Sequence, residues 1–191
     1  KYVIYVHNKP RLAAGYFVIK RLNLISQGVN MRKFLIIITI ISTQFIYSED
    51  NVLGEIDRAW DKIKDTITKG DFSSLKSSYH RDAILVNGIS KRCYPIKTAL
   101  DGWKQGFDDT KAGSMDANLE LKFSQRIFDS STAHETGIFH YYTINKEGKQ
   151  TDSYVYFESL WIKKQRKWFM LMENQKSKTN KEEWDNFKRS I

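Results

Sequence analysis

Apolar positions along this chain follow a helical period first and a strand pattern afterwards. Within residues 51–69, four apolar residues recur at spacings of four, three and four, with charged residues between them: Ile56, Trp60, Ile63 and Ile67. This spacing predicts an amphipathic helix, and Gly70 is typical of a helix C-terminal cap. Asp71 is suited to cap a second, shorter helix that runs to Tyr79.

A short strand and a third helix are predicted next. The segment AILVNG, Ala83 to Gly88, is an apolar run closed by an Asn-Gly turn, which indicates a buried strand. The third helix is predicted to start at Pro95, because a proline lacks the N–H that would be unpaired in a first helical turn. Its apolar face carries five residues: Ile96, Ala99, Leu100, Trp103 and Phe107.

The rest of the chain is strand-like. Four segments with short polar links between them are predicted strands: residues 118–128, 132–144, 153–163 and 167–175. Such short links favour antiparallel hairpins between successive strands. Residues 180–191 predict a short C-terminal helix. An order in which helices come first and a long antiparallel sheet follows predicts an α+β fold, with the helices on one face of the sheet.

The positive charge is concentrated at the N-terminal end. The chain has 31 Lys and Arg against 22 Asp and Glu, a net charge of +9, but seven of the basic residues and none of the acidic ones lie within residues 1–48. Without that segment the net charge is +2. The basic run KKQRK, Lys163 to Lys167, lacks interleaved aromatic residues and reads as a solvated hairpin turn. We therefore expect no nucleic-acid partner.

Residues 31–48, MRKFLIIITIISTQFIYS, have the layout of a secretory signal peptide, with a charged start, an apolar run and a small residue at the end. The run is shorter than the roughly 20 residues that span a bilayer, so an uncleaved anchor is the weaker alternative. We expect export, to the periplasm or outside the cell, with no stable membrane insertion after cleavage. Residues 1–30 would then be a non-native upstream extension.

The sequence gives little indication of a metal site, a cofactor site or a kinase active site. Cys93 is the single cysteine, so neither a disulfide framework nor a thiolate metal site is expected, and no cofactor motif is present. His80-Arg81-Asp82 with Asn87 matches the catalytic-loop pattern of protein kinases, but the glycine-rich loop and the D-F-G motif of a kinase are missing. We interpret this stretch as the junction between the second helix and the first strand.

The order of these segments resembles the nuclear-transport-factor-2-like superfamily, especially its SnoaL-like and ketosteroid-isomerase-like bacterial members. The resemblance covers residues 51–177 and rests on three stretches: the GDF…L…Y..DA pattern from Gly70 to Ala83, the AHETG strand from Ala133, and the WFML strand from Trp168. It implies a cone-shaped, curved antiparallel sheet wrapped around three N-terminal helices, with a pocket at the open end. Residues 49–180 would form this domain and residues 181–191 a C-terminal tail.

The resemblance also implies where a pocket would lie. Related isomerases keep a carboxylate base at the position of Asn87, and an amide cannot accept a proton near neutral pH, so ketosteroid isomerase activity is not expected. The pocket is predicted to be lined mainly by aromatic and amide side chains: Trp60, Asn87, Trp103, Phe107, Tyr156, Met172 and Asn174. Strict alternation places Met170, Met172 and Asn174 on one face of the last strand.

Two residues are candidates for proton transfer. Glu158 alternates with Tyr156 and Leu160, so it is either a pocket carboxylate with a raised pKa or a surface charge. His80 is either a turn residue or a proton carrier at the pocket mouth.

Three functions remain open at this point. We favour a protein that binds a small, partly apolar ligand and forms a homodimer through its sheet. The alternatives are a SnoaL-like isomerase, cyclase or dehydratase that uses Glu158 or His80, and an interaction module. In the last case, four aromatic residues of the sheet would contact a partner: Phe139, Tyr141, Phe157 and Trp161.

Overall fold

The computed structural model describes residues 51–188. The predicted upstream extension (1–30), the predicted signal peptide (31–48) and the end of the tail (189–191) lie outside the described residues. Between residues 51 and 188, none of the helices combines the length and the apolar character needed to cross a membrane.

Four helices occur in the described residues. They are α1 (helical throughout 51–69), α2 (Phe72–Lys76), α3 (Ile96–Lys111) and α4 (Lys181–Asn186). The predicted break between the first two helices is confirmed. Gly70 has a φ of 63°, a conformation that favours glycine, and a Cβ there would lie 2.6 Å from the carbonyl oxygen of Phe107. Asp71 caps α2 by accepting a hydrogen bond from the Ser74 N–H at 3.0 Å.

Six strands form one sheet. They are β1 (Tyr79–Asn87), β2 (Arg92–Pro95), β3 (Met115–Phe128), β4 (Thr132–Asn145), β5 (Gln150–Lys164) and β6 (Lys167–Thr179). Their order across the sheet is β2-β1-β6-β5-β4-β3. The α+β class and the hairpins that join β3 to β6 are confirmed.

Two parts of the predicted sheet are wrong. The sheet is mixed, because β1 fills the edge beside β6 and runs parallel to it. The short strand β2 was not predicted, since three of its four residues are exposed and show no alternation. Pro95 ends β2 and caps α3, so that helix begins at Ile96. Tyr79 also belongs to β1 and not to α2, which matters for the site below.

Helices α1 and α3 pack on one face of the sheet, which we call the inner face. Ile56 of α1 and Trp161 of β5 are 0% and 1% exposed, and both belong to the hydrophobic core on this side. Helix α4 packs on the opposite, outer face, where the Trp184 ring lies 5.5 Å from the ring of His140 and 6.0 Å from that of Tyr154. Alternate residues of each strand therefore meet two different environments.

Candidate functional site

A cavity of about 530 Å³ lies between the inner face and helices α1 and α3. Its walls are mostly apolar and carry aromatic side chains from both helices and from the sheet: Trp60, Trp103, Phe107, Phe139, Tyr141 and Phe157. The rings of Trp60 and Phe157 lie 5.8 Å apart and nearly perpendicular, an arrangement that aromatic pairs favour. The volume is in the range of small-molecule sites.

Two glycines of α3 help to make room for this cavity. Gly102 and Gly106 line it together with Trp103 and Phe107. A Cβ added at Gly102 would meet nothing within 4 Å, and one at Gly106 would have Met115 Cε as its nearest neighbour, at 3.9 Å. The absent side chains therefore leave space on the cavity side of this helix.

Strand β6 presents an unexpected set of side chains to the cavity. Trp161 of β5 pairs with Met170, but the preceding residue, Leu160, pairs with Met172, so Leu171 is an extra residue in β6. A second extra residue, Lys176, follows further along the strand. Each bulge reverses the alternation. As a result, the β6 residues that line the cavity are Met170, Glu173, Gln175 and Lys178.

Glu173 is the carboxyl group of this cavity. The Tyr79 hydroxyl donates a hydrogen bond to Glu173 Oε2 at 2.6 Å, and Gln175 Nε2 donates one to Glu173 Oε1 at 2.8 Å. Burial raises the pKa of Glu173 above its usual value, although both hydrogen bonds act in the opposite direction. Burial and the neighbouring Glu173 carboxylate raise the pKa of Tyr79, which therefore stays a neutral donor.

Four of the lining residues can ionise: Tyr79, Tyr141, Glu173 and Lys178. Burial also raises the pKa of Tyr141. Lys178 is exposed, at the rim, and lies five residues along the same strand from Glu173. Within residues 51–188, Glu173 forms no ion pair, and its recorded side-chain partners are the neutral groups of Tyr79 and Gln175.

A second carboxylate of the inner face, Glu135, lies in the same row of the sheet as Glu173, with Ser159 between them. It is 0% exposed and pairs with Arg126, which also contacts Asp57 at 2.7 Å. The indole N–H of Trp60 donates to Glu135 Oε2 at 2.7 Å, so the residue that lines the cavity also helps to hold this ion pair. Glu135 itself is not among the residues that line the cavity.

Comparison with known proteins agrees with this architecture. No protein-family model matches the chain, and no curated protein matches it. Three solved structures are similar to it at low identity. A conserved protein from Planctomyces limnophilus shares 11% identity, with a TM-score of 0.53 over 63% of this chain and 91% of that one.

The second similar structure is a nuclear transport factor 2 (NTF2-like) superfamily protein from Salmonella enterica, with 13% identity and a TM-score of 0.51 over 70% of this chain and 95% of that one. The third is a putative calcium/calmodulin-dependent protein kinase II association domain from Xanthomonas campestris, with 15% identity and a TM-score of 0.51 over 66% and 87%. The chain has the NTF2-like fold. The resemblance seen in the sequence motifs is thus confirmed for the fold.

In this NTF2-like fold, only some of the predicted pocket residues lie at the cavity. Trp60, Trp103 and Phe107 line it, because the helical period correctly identified the inward side of α1 and α3. The two bulges place Met172 and Asn174 outside the cavity, so the prediction that they share a face with Met170 is wrong.

Glu158 lies on the outer face and not at the cavity. Lys176 Nζ donates to Glu158 Oε1 at 2.8 Å, and Asn174 Nδ2 donates to Oε2 at 3.1 Å. The hydrogen bond from Lys176 is the main cause that lowers the pKa of Glu158. This is the surface-charge alternative of the sequence analysis, and it is opposite to what a pocket acid with a raised pKa requires.

The other predicted site residues have structural partners elsewhere. Asn87 accepts a hydrogen bond from the Ser90 N–H at 2.8 Å and so closes the β1–β2 turn. Tyr156 donates its hydroxyl hydrogen to Glu183 of α4 at 2.9 Å. His80 Nδ1 accepts from the Asp82 N–H at 3.2 Å, in line with a local role. None of the three lines the cavity.

Three polar residues that line the cavity were not predicted: Tyr79, Glu173 and Gln175. Tyr79 was assigned to the end of a helix, and Glu173 and Gln175 to the wrong face of β6. A usable signal was present, because the stretch MENQ places three polar residues in succession within a predicted strand, so that at least one of them falls on each face. Polar residues at the buried positions of a strand indicate a site or a register shift.

Proposed function

We propose that this protein binds a small, partly apolar ligand in the cavity between its inner sheet face and helices α1 and α3. The observation that supports this most directly is the cavity itself, about 530 Å³ with aromatic walls and few polar groups. Small-molecule sites share this composition, in which apolar walls supply affinity and a few polar groups fix orientation. The fold alone does not assign a function.

The positions of the residues argue against the two alternative functions, the SnoaL-like enzyme and the interaction module. A reaction that uses Glu158 or His80 requires these side chains at the pocket, and neither lines it. An interaction surface made of Phe139, Tyr141, Phe157 and Trp161 requires these rings to be accessible. Phe139, Tyr141 and Phe157 line the cavity, and Trp161 is 1% exposed.

Export and homodimer formation are further parts of the proposal. Export rests on the signal-like residues 31–48, and N-terminal sequencing of the natural protein would contradict it if the mature chain began well before Glu49. A homodimer through the outer face would have to avoid the area that Trp184 covers. Ile84, Leu160 and Met172, which pair across the neighbouring strands β1, β5 and β6, remain available there, and analytical ultracentrifugation would detect the dimer.

Blocking the cavity tests the proposal. The variant Gly106→Leu places an isobutyl group where the nearest heavy atom to a new Cβ is 3.9 Å away, so the side chain has room to extend into the cavity. We expect the polarity-sensitive neutral dye prodan to bind the wild-type chain and to bind the variant at least tenfold more weakly. Helix stability should not fall, because leucine favours a helix over glycine by about 0.5–1 kcal/mol.

The matched control is Gly54→Leu, a glycine of α1 that does not line the cavity. It should bind prodan like the wild type. Equal binding of the dye to the wild type and to Gly106→Leu, or no binding to either, would contradict a ligand-binding cavity.

A further inference from the structure

The hydrogen bonds of Glu173 leave its charge uncompensated. Both partners, the Tyr79 hydroxyl and the Gln175 amide, donate to the carboxylate, and both are neutral. Two carboxylate oxygens can accept about four hydrogen bonds, so each oxygen that faces the cavity keeps acceptor capacity. Donors arranged around a carboxylate suit its ionised form, and what this group lacks is a positive charge nearby.

Arg126, the cation of the Glu135 ion pair on the inner face, is too distant from Glu173 to supply that charge. Arg126, Glu135, Ser159 and Glu173 pair in one row across strands β3, β4, β5 and β6. With a strand spacing of about 4.8 Å, Arg126 lies roughly 14 Å from Glu173 along the sheet. It is also already paired with Glu135 and Asp57.

Lys178 is the cation that lines the cavity within residues 51–188. It is five residues from Glu173 on the same strand, which corresponds to roughly 13–16 Å at about 3.3 Å per residue. Its side chain is exposed at the rim, whereas Glu173 lies among buried residues such as Met170. The cavity therefore contains an acidic group inside and a basic group at its opening.

The aromatic walls add a second feature that favours a cation. Trp103, Phe107 and Tyr141 line the same cavity, and the faces of such rings attract ammonium groups. The same rings pack equally well against a neutral apolar body. A ligand with both an ammonium group and a ring or chain would use the carboxylate and the walls together.

We propose that the ligand of this cavity is an organic amine, whose ammonium group pairs with Glu173 while its apolar body packs against the aromatic walls. This rests on the proposed function, because it specifies the chemistry of the ligand that the cavity binds. The opposite arrangement, in which a protonated Glu173 donates to a carbonyl or carboxyl group of the ligand, is the competing chemistry that the experiment separates.

Three probes with one ring system test this assignment: tryptamine, tryptophol and indoleacetic acid. They differ in carrying an ammonium, a hydroxyl or a carboxylate group. We expect titration calorimetry at pH 7.5 to show that tryptamine binds roughly tenfold to hundredfold more tightly than tryptophol, since a hydrogen bond to a charged group is worth about that factor. Indoleacetic acid should bind most weakly.

The variant Glu173→Gln should remove the preference for tryptamine and leave the binding of tryptophol within about threefold of the wild type. The retained binding of tryptophol shows that the variant is folded and its cavity intact. Glu158→Gln, the matched change on the outer face, should keep the full preference for tryptamine.

Different results would contradict the amine assignment and the proposed ligand-binding function. Equal or tighter binding of tryptophol or indoleacetic acid to the wild type would overturn the amine assignment while the cavity still binds small molecules. A preference for tryptamine that survives in Glu173→Gln would also overturn it. If prodan and all three probes fail to bind, both the amine assignment and the proposed function are wrong.

Discussion

Two carboxylates lie on the inner face, Glu135 and Glu173, and their surroundings differ. They lie in one row of the sheet on either side of Ser159, about 10 Å apart at the usual strand spacing. Glu135 has an arginine, an indole N–H and a serine hydroxyl around it. Glu173 has only neutral donors and an empty space in front of it.

This difference separates a structural part of the molecule from a binding part. The ion pair between Arg126 and Glu135 is buried, and removing one partner leaves a buried charge alone. Glu173 is a half-buried carboxylate without a counter-charge, so its desolvation costs stability in the unliganded protein, and that cost is relieved when a cation binds. The difference between Glu135 and Glu173 leads to three predictions about stability, given from the largest expected change to the smallest.

The largest effect is expected at the ion pair between Arg126 and Glu135. Arg126→Met leaves Glu135 buried without its cation, and breaking such a pair costs about 3–5 kcal/mol. The free energy of unfolding in urea should fall by that amount. Arg81→Met, which removes a side chain that is 88% exposed, is the control and should change stability little. A loss below about 1 kcal/mol for Arg126→Met would mean that the two carboxylates are held alike.

The second prediction concerns Glu173 in the cavity, where substitution should change the free energy of unfolding by a smaller amount and in the opposite direction. The folded-state pKa of Glu173 is raised by burial above the ordinary 4.5. At pH values between 4.5 and this raised pKa, the native protein holds a proton that the unfolded chain has lost, so stability falls as pH rises from 4.5 through the raised pKa. Tyr79 does not titrate in this range, because its own pKa is raised well above 10.0.

Glu173→Gln should therefore make the protein more stable than the wild type at neutral pH, and the two should converge below pH 4.5. Thermal unfolding at several pH values, without added ligand, measures this. A variant less stable than the wild type at neutral pH would show that the Glu173 carboxylate is already compensated.

The smallest effect is expected on the outer face. The Glu158 side chain is 24% exposed and its partner Lys176 50%, and exposed pairs of this kind contribute about 0–1 kcal/mol. Glu158→Gln should lower stability by no more than that. The pKa of Glu158 is lowered, so its small contribution is present above pH 4.5 and is lost as pH falls through the folded-state value. This slope is opposite to that of Glu173, and unfolding curves at pH 3 and 7 compare them.

The helices and the fold could be predicted from the sequence because their signals are periodic. The spacing of Trp60 in α1, and of Trp103 and Phe107 in α3, identifies the inward side of each helix, and these residues do line the cavity. A helix that packs on a sheet has one buried stripe, so its apolar positions reveal its orientation.

The polar part of the site could not be predicted in the same way. Both faces of β5 and β6 carry apolar residues, since α4 and neighbouring side chains partly cover the outer face. The alternation of apolar and polar residues then does not identify the inner face, so Glu158 and Glu173 are equally suitable candidates for the cavity carboxylate. Tyr79 was hidden for another reason, because the change from helix to strand occurs within the two residues that separate Lys76 from it.

The bulges of β6 have a consequence for how this chain should be compared with its relatives. Leu171 and Lys176 each add one residue, so the two ends of the strand stay in phase while the residues between them are exchanged from one face to the other. An alignment without gaps would match Met172 and Asn174 to cavity positions and miss Glu173. Loss of the single residue Leu171 would remove the first bulge and still leave Met172 opposite Leu160 and Glu173 opposite Ser159, so a relative whose strand is one residue shorter can present the same side chains to its cavity.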